Sequence, residues 1–302
     1  MLKRSAALAA MLSLALATPA LAKPSAYQPQ RFSVEVTGKG SDVILIPGLN
    51  SPREVWQAEA ERLKARHRVH LVQLRGFGEA AGINAQGPVL EPFVADLARY
   101  IRDNRLRGPA VIGHSLGGLA AMMLGADHSG VAGRIMVVDA VPFIATLFDP
   151  AATLESIRPR AQMMKAAMLA QGQGWTAPTR APDCSAQSGD AAPAPGVMAT
   201  SNAALCRIGG WIAASDPRVG AQAMADDMLT DMREGVGRIT VPLRVVYGVD
   251  EKVLPAQRHA AIYARAYAKA PAAQLVPISS SRHFVMLDQP EALHREIELF
   301  LK

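Results

Sequence analysis

Short runs dominated by adjacent apolar residues recur along this chain: DVILI at 42–46, RVHLVQL at 68–74, PAVIG at 109–113, RIMVVD at 134–139, PLRVVYG at 242–248 and AQLVPI at 273–278. A strand with one wet face alternates polar and apolar residues, so runs without that alternation belong to strands covered on both sides. Patterns of helical period separate them, at 54–66, 91–104, 115–128, 255–270 and 290–302. Strand and helix in alternation require a mainly parallel sheet with helices on both faces, an α/β doubly wound fold. RFSVEV at 31–36 does alternate and reads as a first strand, followed by a turn at Gly38-Lys39-Gly40-Ser41.

One interval breaks the rhythm. Residues 143–238 contain no strong strand run but carry Met163, Met164, Met168, Met198, Met224, Met228 and Met232, with a Gly/Ala/Pro/Ser-rich stretch from Gln171 to Gly196. We read this interval as a helical cap inserted into a core formed by residues 23–142 and 239–302. Its adaptable thioethers are expected to line a lipophilic pocket. Cys184 and Cys206, the only cysteines, both fall within it.

The first residues set the compartment. Lys3 and Arg4 precede an apolar stretch from Ala6 to Ala17, and Ala20-Leu21-Ala22 supplies an A-x-A cleavage site. This is the pattern of a secretory signal peptide over residues 1–22, too short in its apolar part for a comfortable membrane span. The expectation is export, to the periplasm or beyond, with no stable membrane anchor; Lys23 stands where a lipid-bearing cysteine would be. In an oxidising compartment Cys184 and Cys206 are expected to be joined. Without Lys3 and Arg4 the chain keeps 30 basic residues against 26 acidic ones, scattered and without interleaved aromatics. That distribution argues against a nucleic-acid groove.

Gly113-His114-Ser115-Leu116-Gly117 joins an apolar strand to a small-residue helix. A serine there could cap the helix, but capping does not call for glycine on both sides. A nucleophile on a sharp strand-to-helix turn does, because strand, turn and helix must approach closely. Such a serine needs a base and an acid further along. Among the seven histidines, His67 and His70 flank an early strand, His114 adjoins the serine and is expected to point elsewhere, and His128, His259 and His294 lie on helical patterns. His283, in the loop after the last strand, is the base this reading selects. Asp250 and Asp139 both follow strands and both satisfy the order Ser, Asp, His; Asp250 is preferred for the glycine-containing turn before it, with Asp139 in reserve. In LIPGLNSPREVW (45–56), Gly48 allows close approach and the N–H of Leu49 is a candidate oxyanion donor beside that of Leu116, with Asn50 able to help. RGFGEAAG at 75–82 misses the spacing of a phosphate loop and lacks its lysine.

IPGLNSPREVW, QLRGFGE, GHSLGG, VVDAVP, ITVPLRVVYGVDE and SSSRHFVMLDQPE, in that order, resemble the α/β-hydrolase fold in its single-cap branch, over about residues 32–301. The resemblance implies Ser115 as nucleophile, His283 as base, Asp250 as acid and the amides of Leu49 and Leu116 as oxyanion hole. It implies an acyl-enzyme and neither metal nor organic cofactor. Two positions depart from the family's pattern: Pro47 stands where histidine is usual, and Arg282 where glycine often precedes the catalytic histidine. Surface exposure is the simplest account of that arginine. The function expected is serine hydrolysis of small-molecule esters with small to medium apolar acyl groups. Thioesterase, carbon–carbon hydrolase, lactonase, aminopeptidase and a non-catalytic binding module are the alternatives on the same fold.

Overall fold

A computed structural model describes residues 27–302; the leader expected at residues 1–22 lies outside them. In chain order the strands are β1 (Phe32–Gly38), β2 (Ser41–Ile46), β3 (His67–Leu74), β4 (Ala110–His114), β5 (Arg134–Val138), β6 (Leu243–Val249) and β7 (Gln274–Ser279). The helices are α1 (Gln57–Leu63), α2 (Leu90–Asp103), α3 (Leu116–Asp127), α4 (Leu154–Gln171), α5 (Asn202–Ala214), α6 (Pro217–Met228), α7 (Ala256–Ala266), α8 (Val285–Asp288) and α9 (Pro290–Leu301). The strands form one seven-stranded sheet in the order β1-β3-β2-β4-β5-β6-β7. Only β1 runs antiparallel to its neighbour. The doubly wound α/β class read from the sequence is the observed one.

Period-2 geometry sorts the apolar runs onto two faces. Ile44 and Ile46 of β2 join the cluster built with α2, α3 and α7, while Val43 and Leu45 join the cluster built with α1 and α9. Helix α3 is buried from Leu116 through Leu124, which explains why it is apolar around its whole circumference. The turn after β1 does not make a hairpin with β2, because β3 lies between them and the turn passes over its start. A Cβ on Gly38 would stand 2.2 Å from the carbonyl oxygen of His67, so the close crossing requires glycine there.

The connection after β2 leads to β3 on one side, whereas the connection after β3 leads to β4 on the other. Loops therefore diverge at the carboxyl ends of β2 and β4 and leave a crevice between them. The two loops that border it are Pro47-Gly48-Leu49-Asn50 and His114-Ser115.

Between β5 and β6 the chain leaves the sheet and forms α4, α5 and α6. Thr153 and Ser156 cap the start of α4 reciprocally. Helices α4 and α6 pack together on a small cluster of Phe143, Ala145, Ile157, Ala161 and Met228. Helix α6 is held to the sheet domain at both ends. The Asp216 N–H donates to the Gly76 carbonyl at 2.7 Å, and the Asp226 carboxylate accepts the N–H groups of Val89 and Leu90 at 2.7 and 3.0 Å. Those amides open α2, where an anion meets unsatisfied donors and the positive end of the helix dipole.

The long stretch before α5 is tied down differently. Cys184 and Cys206 are joined in a disulfide. Thr200 donates through its N–H and its hydroxyl to Asp288 at 2.8 and 2.9 Å, and Phe284 N–H donates to the Met198 carbonyl at 3.0 Å.

Candidate active site

Ser115 has φ 52° and ψ −121°, a left-handed backbone that a residue with a side chain adopts only under constraint from its surroundings. Its N–H donates to the Val138 carbonyl at 2.9 Å. Although it stands at the head of α3, its hydroxyl caps nothing. The flanking glycines are required by space: a Cβ on Gly113 would lie 2.0 Å from the Gly117 carbonyl oxygen, and one on Gly117 would lie 2.5 Å from that of Pro47. Gly48 is pressed into the same point, since a Cβ there would meet His114 Nδ1 at 2.9 Å and Ser115 Cβ at 3.0 Å. The loop carrying the Leu49 amide is thereby brought against the serine. Among the described residues no backbone carbonyl takes the N–H of Leu49, and Leu116, as first residue of α3, has no helical acceptor.

His283 is half-buried, and its Nδ1 lies 2.7 Å from Asp139 Oδ2. Asp139 follows β5 with φ 48° and accepts two further hydrogen bonds on Oδ1, from Gly248 N–H at 2.9 Å and from the Tyr263 hydroxyl at 3.1 Å. Burial, reinforced by the Asp139 charge, pushes Tyr263 well above the ordinary tyrosine range, so it remains a donor. With Nδ1–H committed to the carboxylate, the Nε2 lone pair of His283 is left to accept a proton.

The preferred acid, Asp250, is elsewhere engaged. Its Oδ2 accepts from Arg282 Nε at 2.8 Å and its Oδ1 from Lys252 N–H at 3.0 Å. Burial alone would raise this carboxyl, but those bonds and the two cationic side chains hold it below the usual range. The correction is therefore from Asp250 to Asp139 as the partner of His283. The physical reason is Arg282, which is not a surface residue: it is 9% exposed and also donates to the carbonyls of Ala191, Ala192 and Ala199. A buried guanidinium needs a counter-charge, and Asp250 supplies it.

His114 also does more than its position in the sequence indicated. It is fully buried, its ring lies 4.7 Å from that of His283, and its Nε2–H donates to the His283 carbonyl at 3.0 Å. Burial first, and then the charge of His283, keeps its pKa well below the usual value. A neutral ring donating at Nε2 presents a bare Nδ1, which is buried without a partner beside Gly48. His114 thus fixes the backbone of the histidine loop next to the serine turn. The strict H-S adjacency was the available signal, and Tyr263 left none beyond its helical period.

A crevice of about 440 Å³ opens beside Asp139 and His283, walled by Ile144, Leu147, Met198, Val253, Leu254 and Ile262. A much smaller apolar void, about 10 Å³, lies against Leu116 and Gly117 between Phe77 and Phe93. The methionines do not form the expected lining. Met228 and Met232 are buried in packing clusters, Met163 is exposed, and Met198 alone of the seven faces the larger crevice.

The model of the alpha/beta hydrolase family matches residues 43–296, most of the chain. The chain belongs to the alpha/beta hydrolase family. Solved hydrolases share the fold. The enol-lactonase of Burkholderia xenovorans superposes with a TM-score of 0.63 at 18% identity, over 89% of this chain and 96% of that one. A thermophilic esterase of Thermogutta terrifontis gives 0.61 at 21% identity, over 89% and 92%. Among curated relatives, the pimeloyl-[acyl-carrier protein] methyl ester esterase of Vibrio atlanticus is 30% identical over 115 residues, which are 38% of this chain and 42% of that protein. That of Aeromonas hydrophila is 34% identical over 96 residues, 32% and 36% of the two chains. The match thus spans about two fifths of these relatives' length.

Proposed function

We propose that this alpha/beta hydrolase is an exported serine hydrolase of small-molecule carboxylic esters. Ser115 is its nucleophile, His283 its base, Asp139 its acid, and the amides of Leu49 and Leu116 its oxyanion donors. The observation that carries the reading is the His283–Asp139 hydrogen bond, on a histidine packed against His114, the residue before a serine whose strained turn serves no capping purpose. As Ser115 Oγ bonds to the acyl carbon, its proton passes to His283 Nε2 and the carbonyl electron pair moves onto oxygen, where the two amides receive it. Return of that pair breaks the ester bond, and the departing alkoxide takes the proton from His283. Water then repeats the sequence on the acyl-enzyme and releases the acid. Asp139 stabilises the imidazolium formed in each half, itself fixed by Gly248 and Tyr263. An ester substrate is supported by the methyl ester named for the curated relatives and by the mainly apolar crevice beside His283.

Hydrolysis of a chain-length series of p-nitrophenyl esters by the mature protein, beside Ser115→Ala, tests this. Turnover should peak at one acyl length and fall at least about 10³-fold in the variant. A folded wild type that hydrolyses no ester and whose Ser115 takes no fluorophosphonate label would instead support a binding module. For export, the mass of protein recovered outside the cytoplasm should begin at Lys23.

A further inference from the structure

Arg282 stands where the family's pattern often has glycine, and the loop it holds gives the arginine a purpose. Residues 191–199 read AAPAPGVMA, with no polar side chain and two prolines that offer no N–H. Such a stretch has few means of tying itself down. Its ends do meet: Ala191 N–H donates to the Thr200 carbonyl at 2.8 Å, and Asp190 bridges Ser201. The Arg282 guanidinium lies at that neck and bonds both of its arms. Nη1 donates to the carbonyls of Ala192 at 3.1 Å and Ala199 at 2.8 Å, and Nη2 donates to that of Ala191 at 3.4 Å. Nε is spent on Asp250, which neutralises the buried charge.

The same loop walls the crevice. Ala194, Gly196, Val197 and Met198 line it together with His283, and Met198 remains exposed there. His283 stands between two residues that hold this wall, since Arg282 bonds the neck and Phe284 N–H donates to the Met198 carbonyl at 3.0 Å. The N–H groups of Arg282 and Thr200 also share the Asp288 carboxylate, each at 2.8 Å. Wall and base are therefore one hydrogen-bonded unit. A planar fork with five donors can reach a carboxylate and carbonyls on both arms of a neck, whereas a lysine ammonium is a single point and glycine offers no side chain.

We propose that Arg282 is a positioning residue for the substrate: by pinning the neck of the 190–201 loop to the loop of the base, it holds the wall against which an apolar arm of the ester packs, and so sets the arm length that is turned over. The loop meets the crevice with alanine, glycine, valine and methionine, and Leu147, Val253 and Leu254 complete an aliphatic lining that suits an unbranched hydrocarbon arm. Binding energy from that remote arm aids the reaction only while the wall keeps a fixed place relative to His283. The inference rests on the hydrolase reading and deepens it.

The test uses two series, p-nitrophenyl esters of straight-chain acids and acetates of straight-chain alcohols, each from two to about ten carbons, with wild type, Arg282→Lys and Met198→Ala. Arg282→Lys keeps a charge for Asp250 but cannot span the neck. Its kcat/KM for the best-length ester should fall at least about tenfold further than for the two-carbon ester, mainly through KM. Met198→Ala, which leaves the backbone bonds in place, should move the best length to a longer arm. The series in which both effects occur tells whether the arm belongs to the acid or to the alcohol. If Arg282→Lys does not fold, Arg282→Met combined with Asp250→Leu, which removes both buried charges, takes its place. A loss equal at every length, a loss in kcat alone, or length profiles that Met198→Ala does not move overturns the proposal. Labelling of Ser115 by a fluorophosphonate without turnover of either series also overturns it and leaves the hydrolase reading standing. Failure of both labelling and turnover removes both.

Discussion

The ends of β5 and β6 carry aspartates that look interchangeable in the sequence and do opposite things in the fold. Asp139 receives three hydrogen bonds, from a histidine, a tyrosine and an amide, all uncharged donors in their ordinary states except the histidine during reaction. Asp250 receives a guanidinium, and with it the task of neutralising a cation that staples the segment around Ala191–Ala199 to the histidine loop. A carboxylate already satisfied by arginine has little to offer a ring that must gain and lose a proton. The lesson is that the role of an acid at a strand end is set by the residue that reaches it, here by whether position 282 or 283 points its way.

The sharpest way to break this contrast is a pair of amides. Asp139→Asn should lower kcat by about 10⁴-fold, since the amide no longer holds the required tautomer or the imidazolium. Asp250→Asn should leave kcat within about tenfold but destabilise the protein by about 3 kcal/mol, because Arg282 keeps its charge and loses its counter-ion. Urea unfolding and steady-state kinetics on both variants decide the matter; the reverse pattern would return Asp250 to the triad.

A third buried carboxylate extends the comparison, because Asp227 has neither kind of partner. Its folded pKa, about 7 from burial and lowered only by the charge of His283, lies above the unfolded value of 3.8. The folded state therefore keeps a proton that the unfolded chain has lost, and this residue's contribution to stability declines as pH rises from about 4 to about 7. Asp227→Asn should match the wild type near pH 4 and exceed it by a few kcal/mol at pH 8, read as the gap between their unfolding midpoints at the two pH values. A constant gap would show that Asp227 is ionised throughout. The smallest effect is expected at Tyr263→Phe, which removes one of the neutral donors to Asp139; kcat should drop about tenfold or less, corresponding to one hydrogen bond of roughly 1 kcal/mol.

Much of this architecture was legible in the residues because its causes are local. Four consecutive apolar residues at 43–46 can only be satisfied by a strand covered twice, and the observed β2 divides Val43 and Leu45 from Ile44 and Ile46 between two cores. Gly113, Ser115 and Gly117 were likewise readable, since their spacing reflects contacts within one turn of chain. His283 could be chosen from its place after the last strand. The cap methionines misled for the converse reason: a thioether marks adaptable packing without saying against what, and most of them pack within the protein.

Sequence alone determined the sheet, its winding and the serine turn, because periodicity and steric need act over a few residues. Only the tertiary structure decided that Asp139 meets His283, that Arg282 lies buried against Asp250, that His114 supports the histidine loop and that Asp227 lies buried within reach of the charge of His283. Each of these depends on side chains brought together from more than thirty positions apart along the chain or across separate elements. Charge compensation between such groups is settled by distances of a few ångströms, and no pattern within one segment encodes them.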